Sequence, residues 1–453
     1  MKVFLLACNP VEAPYPVYPL GMSVIAAALT RAGHEVRQYD MLANRFDVGA
    51  LRGAVAAFSP GLVGISFRNL DNANSCHAMS YVDQVARLTS AVREVCAAPV
   101  AIGGSGFSVL PERVLEISGA DYGMVGEGER LVVELADTLA RGRQPASKIL
   151  VADSSLGAAE MPPPAYDDAI LEFYLKGGGV TPLQTKRGCS YHCAYCTYPV
   201  LEGHRLRPRD CEEVVDDIEQ LQAKGVRQIF FTDSIFNDAA GHYRKLVGAM
   251  HKRRVSIPWT GFFRPEVIEP GMIEQMKETG LNAIELGSDA TSDTTLRAMG
   301  KAFTFNEIQA SHDCFVRSGL TVSHYFMMGG PDESPETVQE GISNILKLQG
   351  AASFVFLGIR ILPGTSLEER ALREGVITEQ TDLLQPVYYF SPKLDRDWLH
   401  GTLLEGFKHH RHVVYPPDAY DSGLAFLHRL GYSGMSIELL LKKGGRETKI
   451  PAD

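Results

Sequence analysis

The sequence predicts an α/β protein with two consecutive parallel sheets, and three observations support this. Five predicted strands between residues 2 and 125 alternate with helical patterns, which is typical of a doubly wound, Rossmann-like parallel sheet. Six further strand and helix units follow between residues 180 and 361, enough for a partial (β/α)6 barrel of the TIM type. From Arg373 this rhythm stops, so residues 373–453 are predicted to form a mostly helical C-terminal segment.

The first sheet is predicted within residues 1–145. Its strands are expected at 2–8, 35–40, 62–67, 99–102 and 121–125, and its helices at 19–33, 47–58, 79–97 and 111–118. Doubly wound sheets bind ligands at the carboxyl ends of their strands. The small and polar candidates there are Asn9, Ser66, Arg68, Asn69, Gly103, Gly104, Ser105, Gly126 and Glu127. Glycine clusters also occur in plain tight turns, so at this point a ligand site and a simple turn both remain open.

Residues 146–178 are predicted to be a linker, because proline and glycine are frequent around them. The barrel is predicted over residues 179–372. Its strands are expected at 180–186, 228–232, 257–263, 283–286, 321–328 and 354–361, and its helices at 212–224, 272–279, 292–299, 305–318 and 335–349. The active site of such a barrel lies at the carboxyl ends of its strands.

Three closely spaced cysteines follow the first barrel strand. Cys189, Cys193 and Cys196 are separated by three and then two residues. Thiolates hold iron–sulfur clusters, and three ligands leave one iron of a four-iron cluster open for a substrate or cofactor. The alternatives are three buried small residues or a zinc site, but structural zinc needs a fourth ligand and none follows at knuckle spacing. The spacing therefore favours an open-site 4Fe–4S cluster.

Composition and charge argue against several classes of protein. The formal charge of −10 argues against a large nucleic-acid surface, and no apolar run approaches the ~20 residues that span a bilayer. The N-terminus is too strand-like for a signal peptide. Eight cysteines without a disulfide-like framework fit a reducing cytoplasm.

The cysteine loop resembles that of the radical S-adenosylmethionine (SAM) superfamily. The resemblance rests on the cysteine spacing, on the aromatic Tyr195 before the last cysteine, and on four later segments in matching order, at 231–236, 284–289, 325–333 and 357–365. It implies that Cys189, Cys193 and Cys196 bind the cluster and that SAM chelates the fourth iron. The SAM contacts that it implies are Tyr195, Thr232, Asp233, Ser234, Glu285 and Ser288.

Residues 1–140 resemble the cobalamin (B12)-binding domain that precedes many radical SAM domains. The likeness rests on Pro19-Leu-Gly, Gly33-His-Glu-Val, Gly103-Gly, Asp121-Tyr and Gly126-Glu-Gly-Glu. It implies that the nine strand-end candidates contact cobalamin. The Asp-x-His-x-x-Gly motif that offers a histidine to cobalt is absent, so the expected neighbours of the lower corrin face are Arg68 and Asn69.

Together the resemblances imply a cobalamin-dependent radical SAM enzyme that uses a 4Fe–4S cluster, SAM and cobalamin. The expected reaction is C-methylation of a poorly activated carbon in a small-molecule, lipid or peptide substrate, through a 5′-deoxyadenosyl radical and methylcobalamin. An external electron donor such as flavodoxin or ferredoxin is expected. The alternatives are rearrangement, cyclisation or oxidation without methyl transfer, a methylthiotransferase with a second cluster near Cys8, Cys76 and Cys96, and a non-catalytic cobalamin sensor. The aromatic C-terminal segment is a candidate cap over the substrate.

Overall fold

The computed structural model of the protein describes residues 1–421 and 441, and its first part is a six-stranded parallel sheet. The strands lie in the order β2-β1-β3-β4-β5-β6. They are β1 (Lys2–Ala7), β2 (Glu35–Asp40), β3 (Leu62–Ser66), β4 (Val100–Gly103), β5 (Tyr122–Val125) and β6 (Ile149–Val151). The helices between them are α1 (Leu20–Arg31), α2 (Val48–Phe58), α3 (Val82–Arg93), α4 (Ser105–Val109), α5 (Pro111–Ser118) and α6 (Gly128–Ala140).

Helices cover both faces of this sheet, which explains the continuous apolar run in β1. In β1 the side chains of Val3, Phe4, Leu5 and Leu6 are at most 3% exposed. Val3 and Leu5 belong to the core cluster that includes residues of α1 and α6, whereas Phe4 and Leu6 belong to the cluster with α2, α3 and α5. Successive side chains of a strand point to opposite faces, so an uninterrupted apolar run is what a sheet between two helix layers requires.

The second part is a seven-stranded parallel sheet in the order β17-β14-β13-β12-β11-β10-β7. Its strands are β7 (Val180–Leu183), β10 (Gln228–Phe231), β11 (Trp259–Phe263), β12 (Ala283–Asp289), β13 (Thr321–Met328), β14 (Ala351–Leu357) and β17 (Val413–Val414). Two short antiparallel pairs join β8 (Lys186–Arg187) to β9 (Arg207–Pro208), and β15 (Ile359–Arg360) to β16 (Tyr388–Tyr389).

The helices of this second part fill the connections between its strands. They are α8 (Tyr198–Glu202), α9 (Cys211–Ala223), α10 (His242–Lys252), α11 (Pro270–Glu278), α12 (Asp293–Ala298), α13 (Phe305–Arg317), α14 (Pro335–Lys347), α15 (Ser366–Arg373) and α16 (Arg396–Phe407). In this sheet β7, β10, β11, β12, β13 and β14 lie side by side in the order in which they occur in the chain. The two edge strands, β7 and β17, do not pair with each other, so the sheet forms a partial barrel. The predicted fold class is confirmed.

Several elements differ from the expectation. Residues 146–178, predicted as a linker, contain β6, which pairs with β5, and α7 (Asp168–Gly177), whose Tyr174 is buried in the core. The helices α6 and α10 were not predicted, and neither was β17, which lies in the segment expected to be helical. The predicted C-terminal cap extends to residue 453, and its residues 422–440 and 442–453 lie outside the described part. Among the described residues, no helix is both long and apolar enough to cross a bilayer.

Candidate functional site

A cavity of about 800 Å³ lies where the carboxyl ends of the two sheets face each other. All nine strand-end residues proposed in the first sheet line this cavity. The barrel contributes Tyr195 and Thr232 from the proposed SAM set, together with Asp289, Tyr325 and Arg360. One space therefore collects residues from both halves of the chain.

Asn9 is the most informative residue of the first wall. It follows β1 and lines the cavity, and its side-chain nitrogen and oxygen are both buried without a hydrogen-bond partner among the described residues. An amide left unpaired costs about 1–3 kcal/mol, so such a group indicates a ligand that completes it. Cobalamin carries amide groups around its ring that can both donate and accept. The residues present thus fit that cofactor.

The loop after β3 and the turn after β4 are packed backbone to backbone. Gly104 has a φ of 108°, and a Cβ atom added there would lie 2.5 Å from the Phe67 carbonyl oxygen, so this position requires glycine. Ser105 Oγ donates to the Arg68 carbonyl at 2.7 Å, and Arg68 Nε donates to Asn69 Oδ1 at 2.9 Å. No histidine lines the cavity within the described residues. Arg68 and Asn69 line the cavity, and their place at the lower corrin face stays a prediction.

Glu127 lines the cavity but also joins the two halves of the chain. Its carboxylate accepts hydrogen bonds from Arg187 at 2.9 Å and from Arg207 at 2.8 Å, while Glu129 accepts from the same Arg187 at 2.5 Å. Burial acts to raise the pKa of Glu127, but the two arginines outweigh it and hold the pKa below its ordinary value. Because Arg187 is two residues before Cys189, these ion pairs tie the first domain to the cysteine loop.

The three cysteines lie on a loop that backbone hydrogen bonds hold at several points. Cys189 N donates to Gly203 O at 3.1 Å, and Cys196 N donates to Cys193 O at 3.1 Å. Burial raises the pKa of Cys196 to about 12, and the nearby thiols of Cys193 and Cys189 contribute to this rise. All eight cysteines are free, so these three sulfurs are available as ligands, and a metal would supply the positive charge that their thiolates need.

The three cysteine sulfurs are not placed around a single metal ion. In the part of the chain that the structure describes, no three His, Cys, Asp or Glu side chains are placed to hold one metal ion. In an iron–sulfur cluster each thiolate binds a different iron, so the three sulfurs need to surround the cluster and not a single point. Cys8 and Cys96 donate hydrogen bonds to separate backbone carbonyls, those of Ser66 and Pro60.

Asp233 and Ser234, two of the proposed SAM contacts, lie behind the cysteine loop and do not line the cavity. Asp233 is completely buried and accepts from Thr185 N at 2.7 Å, from Thr185 Oγ1 at 2.5 Å and from the Lys186 ammonium at 3.3 Å. Ser234 Oγ donates to Gly188 O at 3.0 Å. Both residues therefore hold residues 185–188, which lead directly into Cys189.

Glu285 and Ser288, the other two proposed contacts outside the cavity lining, are buried in β12. Burial raises the pKa of Glu285 to about 7, although a hydrogen bond with Tyr325 acts in the opposite direction. Ser288 Oγ lies 2.8 Å from His324 Nδ1, and His324 Nε2 lies 3.1 Å from His312 Nδ1. The carboxylate in β12 that does line the cavity is Asp289, whose φ is 61°.

Lys301 is a functional candidate that the sequence reasoning missed. It follows α12, and its ammonium nitrogen lies 3.1 Å from Cys193 Sγ and 3.3 Å from the Tyr195 hydroxyl, with an ion pair to Asp289. Nothing in the sequence near Lys301 marks it, because its contact with Cys193 spans 108 residues.

Comparison with known proteins connects this geometry to two families. The model of the radical SAM superfamily matches residues 183–343, and the model of the B12-binding domain matches residues 9–136. The chain is 26% identical over 433 residues to the tryptophan 2-C-methyltransferase of Streptomyces laurentii, with 78% of this chain and 72% of that protein covered. It is 24% identical over 452 residues to the cytidylyl-2-hydroxyethylphosphonate methyltransferase of Streptomyces wedmorensis, with 83% and 82% covered.

Two solved structures share the architecture. The radical SAM methyltransferase TsrM of Kitasatospora setae, solved with cobalamin and a [4Fe–4S] cluster bound, superposes with a TM-score of 0.85 at 25% identity over 97% of each chain. The cobalamin-dependent SAM radical enzyme OxsB superposes with a TM-score of 0.70 at 16% identity, over 94% of this chain and 70% of that one. The second likeness shows the shared fold.

Proposed function

The chain belongs to the radical SAM enzymes that carry a B12-binding domain, and from this premise we propose that it is a cobalamin-dependent C-methyltransferase. Its cofactors are a 4Fe–4S cluster, SAM and cobalamin. The target is a poorly activated carbon of a small-molecule, lipid or peptide substrate. The methyltransferases among its relatives, which act on tryptophan and on a cytidylyl phosphonate, favour the small-molecule class.

The single observation that carries this proposal is the shared cavity. The Asn9 amide, which has no hydrogen-bond partner within residues 1–421, lies in the same space as Tyr195 of the cysteine loop and Asp289 of the barrel. A methyl carrier bound by the first sheet and SAM bound by the barrel would therefore reach one substrate without leaving the protein. Holding the cofactors and the substrate close together in a fixed orientation is one of the main contributions that a protein makes to cofactor chemistry.

The residues divide into those that would hold cofactors and those that would position them. Cys189, Cys193 and Cys196 would bind the cluster, which supplies an electron for SAM cleavage, while cobalamin supplies the methyl carrier. Tyr195 and Thr232 would contact SAM directly, since they line the cavity. Asp233 and Ser234 would act by fixing the loop before Cys189, and Glu285 and Ser288 by shaping β12 behind Asp289. The nine strand-end residues would face the corrin.

We assign residues 1–145 to the cobalamin domain, 146–178 to the connection, 179–372 to the radical SAM domain and 373–453 to a cap. The cluster requires an external one-electron donor, and we propose a flavodoxin or a ferredoxin for this role. A cytoplasmic location is consistent with eight free cysteines, because thiols stay reduced there.

The test uses the full chain, reconstituted anaerobically with iron, sulfide and hydroxocobalamin, and given SAM with a deuterated methyl group. In the presence of reductant, label should move from SAM to the corrinoid and S-adenosylhomocysteine should appear even without substrate. With small molecules that offer a saturated, poorly activated carbon as probe acceptors, each methylated product should be accompanied by one 5′-deoxyadenosine and one S-adenosylhomocysteine. Deuterium placed at the target carbon should appear in 5′-deoxyadenosine.

Three results would contradict parts of this proposal. A corrinoid that never receives the label would exclude methyl transfer through cobalamin. Product formed without 5′-deoxyadenosine would show a polar mechanism. A rearranged or oxidised product with 5′-deoxyadenosine and no added methyl would establish the alternative radical function.

A further inference from the structure

The ammonium group of Lys301 has a complete set of partners at the cysteine loop. A lysine ammonium has three N–H donors, and three acceptors surround this one: an Asp289 carboxylate oxygen, Cys193 Sγ at 3.1 Å and the Tyr195 hydroxyl at 3.3 Å. The ammonium also lies 5.3 Å from the centroid of the Tyr195 ring. The Lys301 side chain is only 7% exposed. Water therefore cannot replace these partners.

The fold holds Lys301 against the loop through its two preceding residues. Met299 O accepts a hydrogen bond from Ala194 N at 2.9 Å. Gly300 has a φ of 73°, and a Cβ atom added there would lie 2.5 Å from the His192 carbonyl oxygen. Residues 299–301 thus contact 192–194 along the backbone, and the Lys301 side chain is fixed relative to Cys193.

The Lys301 ammonium lies between a carboxylate on one side and a cysteine sulfur on the other. Asp289 neutralises Lys301 on one side, and its side chain is 12% exposed. On the other side the ammonium donates to a cysteine sulfur, and an ionised, metal-bound sulfur is a much stronger acceptor than a neutral thiol. Reducing a cluster adds a negative charge to the iron–sulfur core. A buried cation that donates to one of its sulfurs favours that reduced state.

We propose that Lys301 is a positioning residue that raises the reduction potential of the cluster by donating a hydrogen bond to the sulfur of Cys193, and that Asp289 limits this effect. The inference rests on the proposed cluster ligation by Cys189, Cys193 and Cys196. The proposal predicts that loss of the Lys301 charge lowers the reduction potential of the cluster and that loss of the Asp289 charge raises it. A role in packing alone would not produce opposite effects.

The experiment is a redox titration of the reconstituted full chain, followed by the electron paramagnetic resonance signal of the reduced cluster. At the midpoint potential of the wild type, Lys301→Met should lower the ratio of reduced to oxidised cluster about tenfold, which is about 59 mV for one electron. Asp289→Asn should raise the ratio, because the cation then lacks its counter-charge. Asparagine tolerates the positive φ of this position, so the fold should persist. Lys301→Gln keeps an N–H donor without the charge and should fall between the wild type and Lys301→Met.

Iron and sulfide analysis accompanies each titration. An unchanged potential in Lys301→Met with a full cluster would overturn the proposal. If Lys301→Met fails to assemble a cluster, the Asp289→Asn variant becomes the test. An unchanged or lowered reduction potential in Asp289→Asn would also overturn the proposal. A wild-type chain that binds no cluster would instead contradict the cluster assignment itself, and iron analysis identifies that case before any titration.

Discussion

Replacing Asp233 by alanine tests whether this carboxylate contacts SAM or supports the cysteine loop. Its two oxygens accept from Thr185 N, Thr185 Oγ1 and Lys186 N, and form an ion pair with Lys186. Both ion-pair side chains are 0% exposed. Lys186 keeps Asp238 at 3.1 Å and the Phe236 carbonyl at 2.7 Å after the substitution, so its charge is not left alone.

The magnitude follows from these contacts. Because Asp238 still pairs with Lys186, the loss comes mainly from the buried backbone N–H groups of Thr185 and Lys186, which lose their acceptor at about 1–3 kcal/mol each. For a domain of about 150–250 residues, a total of about 2–6 kcal/mol lowers the melting temperature by roughly 4–24 °C. Asp233→Asn retains one oxygen for the two backbone N–H groups, so its loss should be smaller than that of the alanine variant. The exposed Asp168, paired with Lys224 at the surface, is the matched control, and Asp168→Ala should cost less than about 1 kcal/mol.

Differential scanning calorimetry of the metal-free chain measures these shifts, because it resolves domains that melt separately. A parallel equilibrium measurement of SAM binding to the reconstituted protein separates the two roles. If Asp233→Ala melts within about 2 °C of the wild type and yet loses SAM affinity, the positioning role is refuted and direct contact is supported. A large fall in melting temperature, graded from Asn to Ala, is the expected result.

Three further predictions concern other parts of the site. Cys193→Ala should lose the cluster of about four irons that the wild type assembles, and iron and sulfide analysis checks this; retention of a full cluster would refute the ligand assignment. Asn9→Ala should weaken hydroxocobalamin binding by about 1 kcal/mol, roughly fivefold, without lowering the melting temperature, since its amide has no partner among the described residues. An absorbance titration with unchanged affinity would contradict this. Burial raises the pKa of Glu285 from 4.5 to about 7, so the folded chain holds a proton there that the unfolded chain has lost. Stability should therefore fall as pH rises from 4.5 to 7, by up to roughly 3 kcal/mol, and Glu285→Gln should flatten this slope in melting temperatures measured across that range.

The two parallel sheets could be predicted because their signals are local. The strand β1 is apolar and buried at every position after Lys2, and only a sheet covered on both faces can bury such a run. The short β6 could not be predicted in the same way. Three residues, Ile149–Val151, carry too little pattern, and they form a strand because β5 offers them an unpaired edge.

The same distinction separates the residues of the site. The cysteine spacing predicts cluster chemistry because all three ligands lie within one short loop, and the strand-end rule places Asn9 and Gly104 at the cavity because the topology of parallel sheets brings strand ends together. Neither rule says which acidic residue faces the cavity. Asp233 lies two residues after β10 and Asp289 ends β12, yet Asp233 is buried against Lys186 and Asp289 lines the cavity.

The sequence by itself thus determined the fold class, the presence of a B12-binding and a radical SAM domain, and the position of the cysteine loop. Each of these depends on periodicity or on residues that lie close together in the chain. The tertiary structure alone decided that Lys301 donates to Cys193, that Glu127 joins the domains through Arg187 and Arg207, and that Asp233 supports the loop from behind. These contacts connect residues between 48 and 108 positions apart. Charge pairing at such separations depends on how the sheets pack, and burial then decides which pairs form.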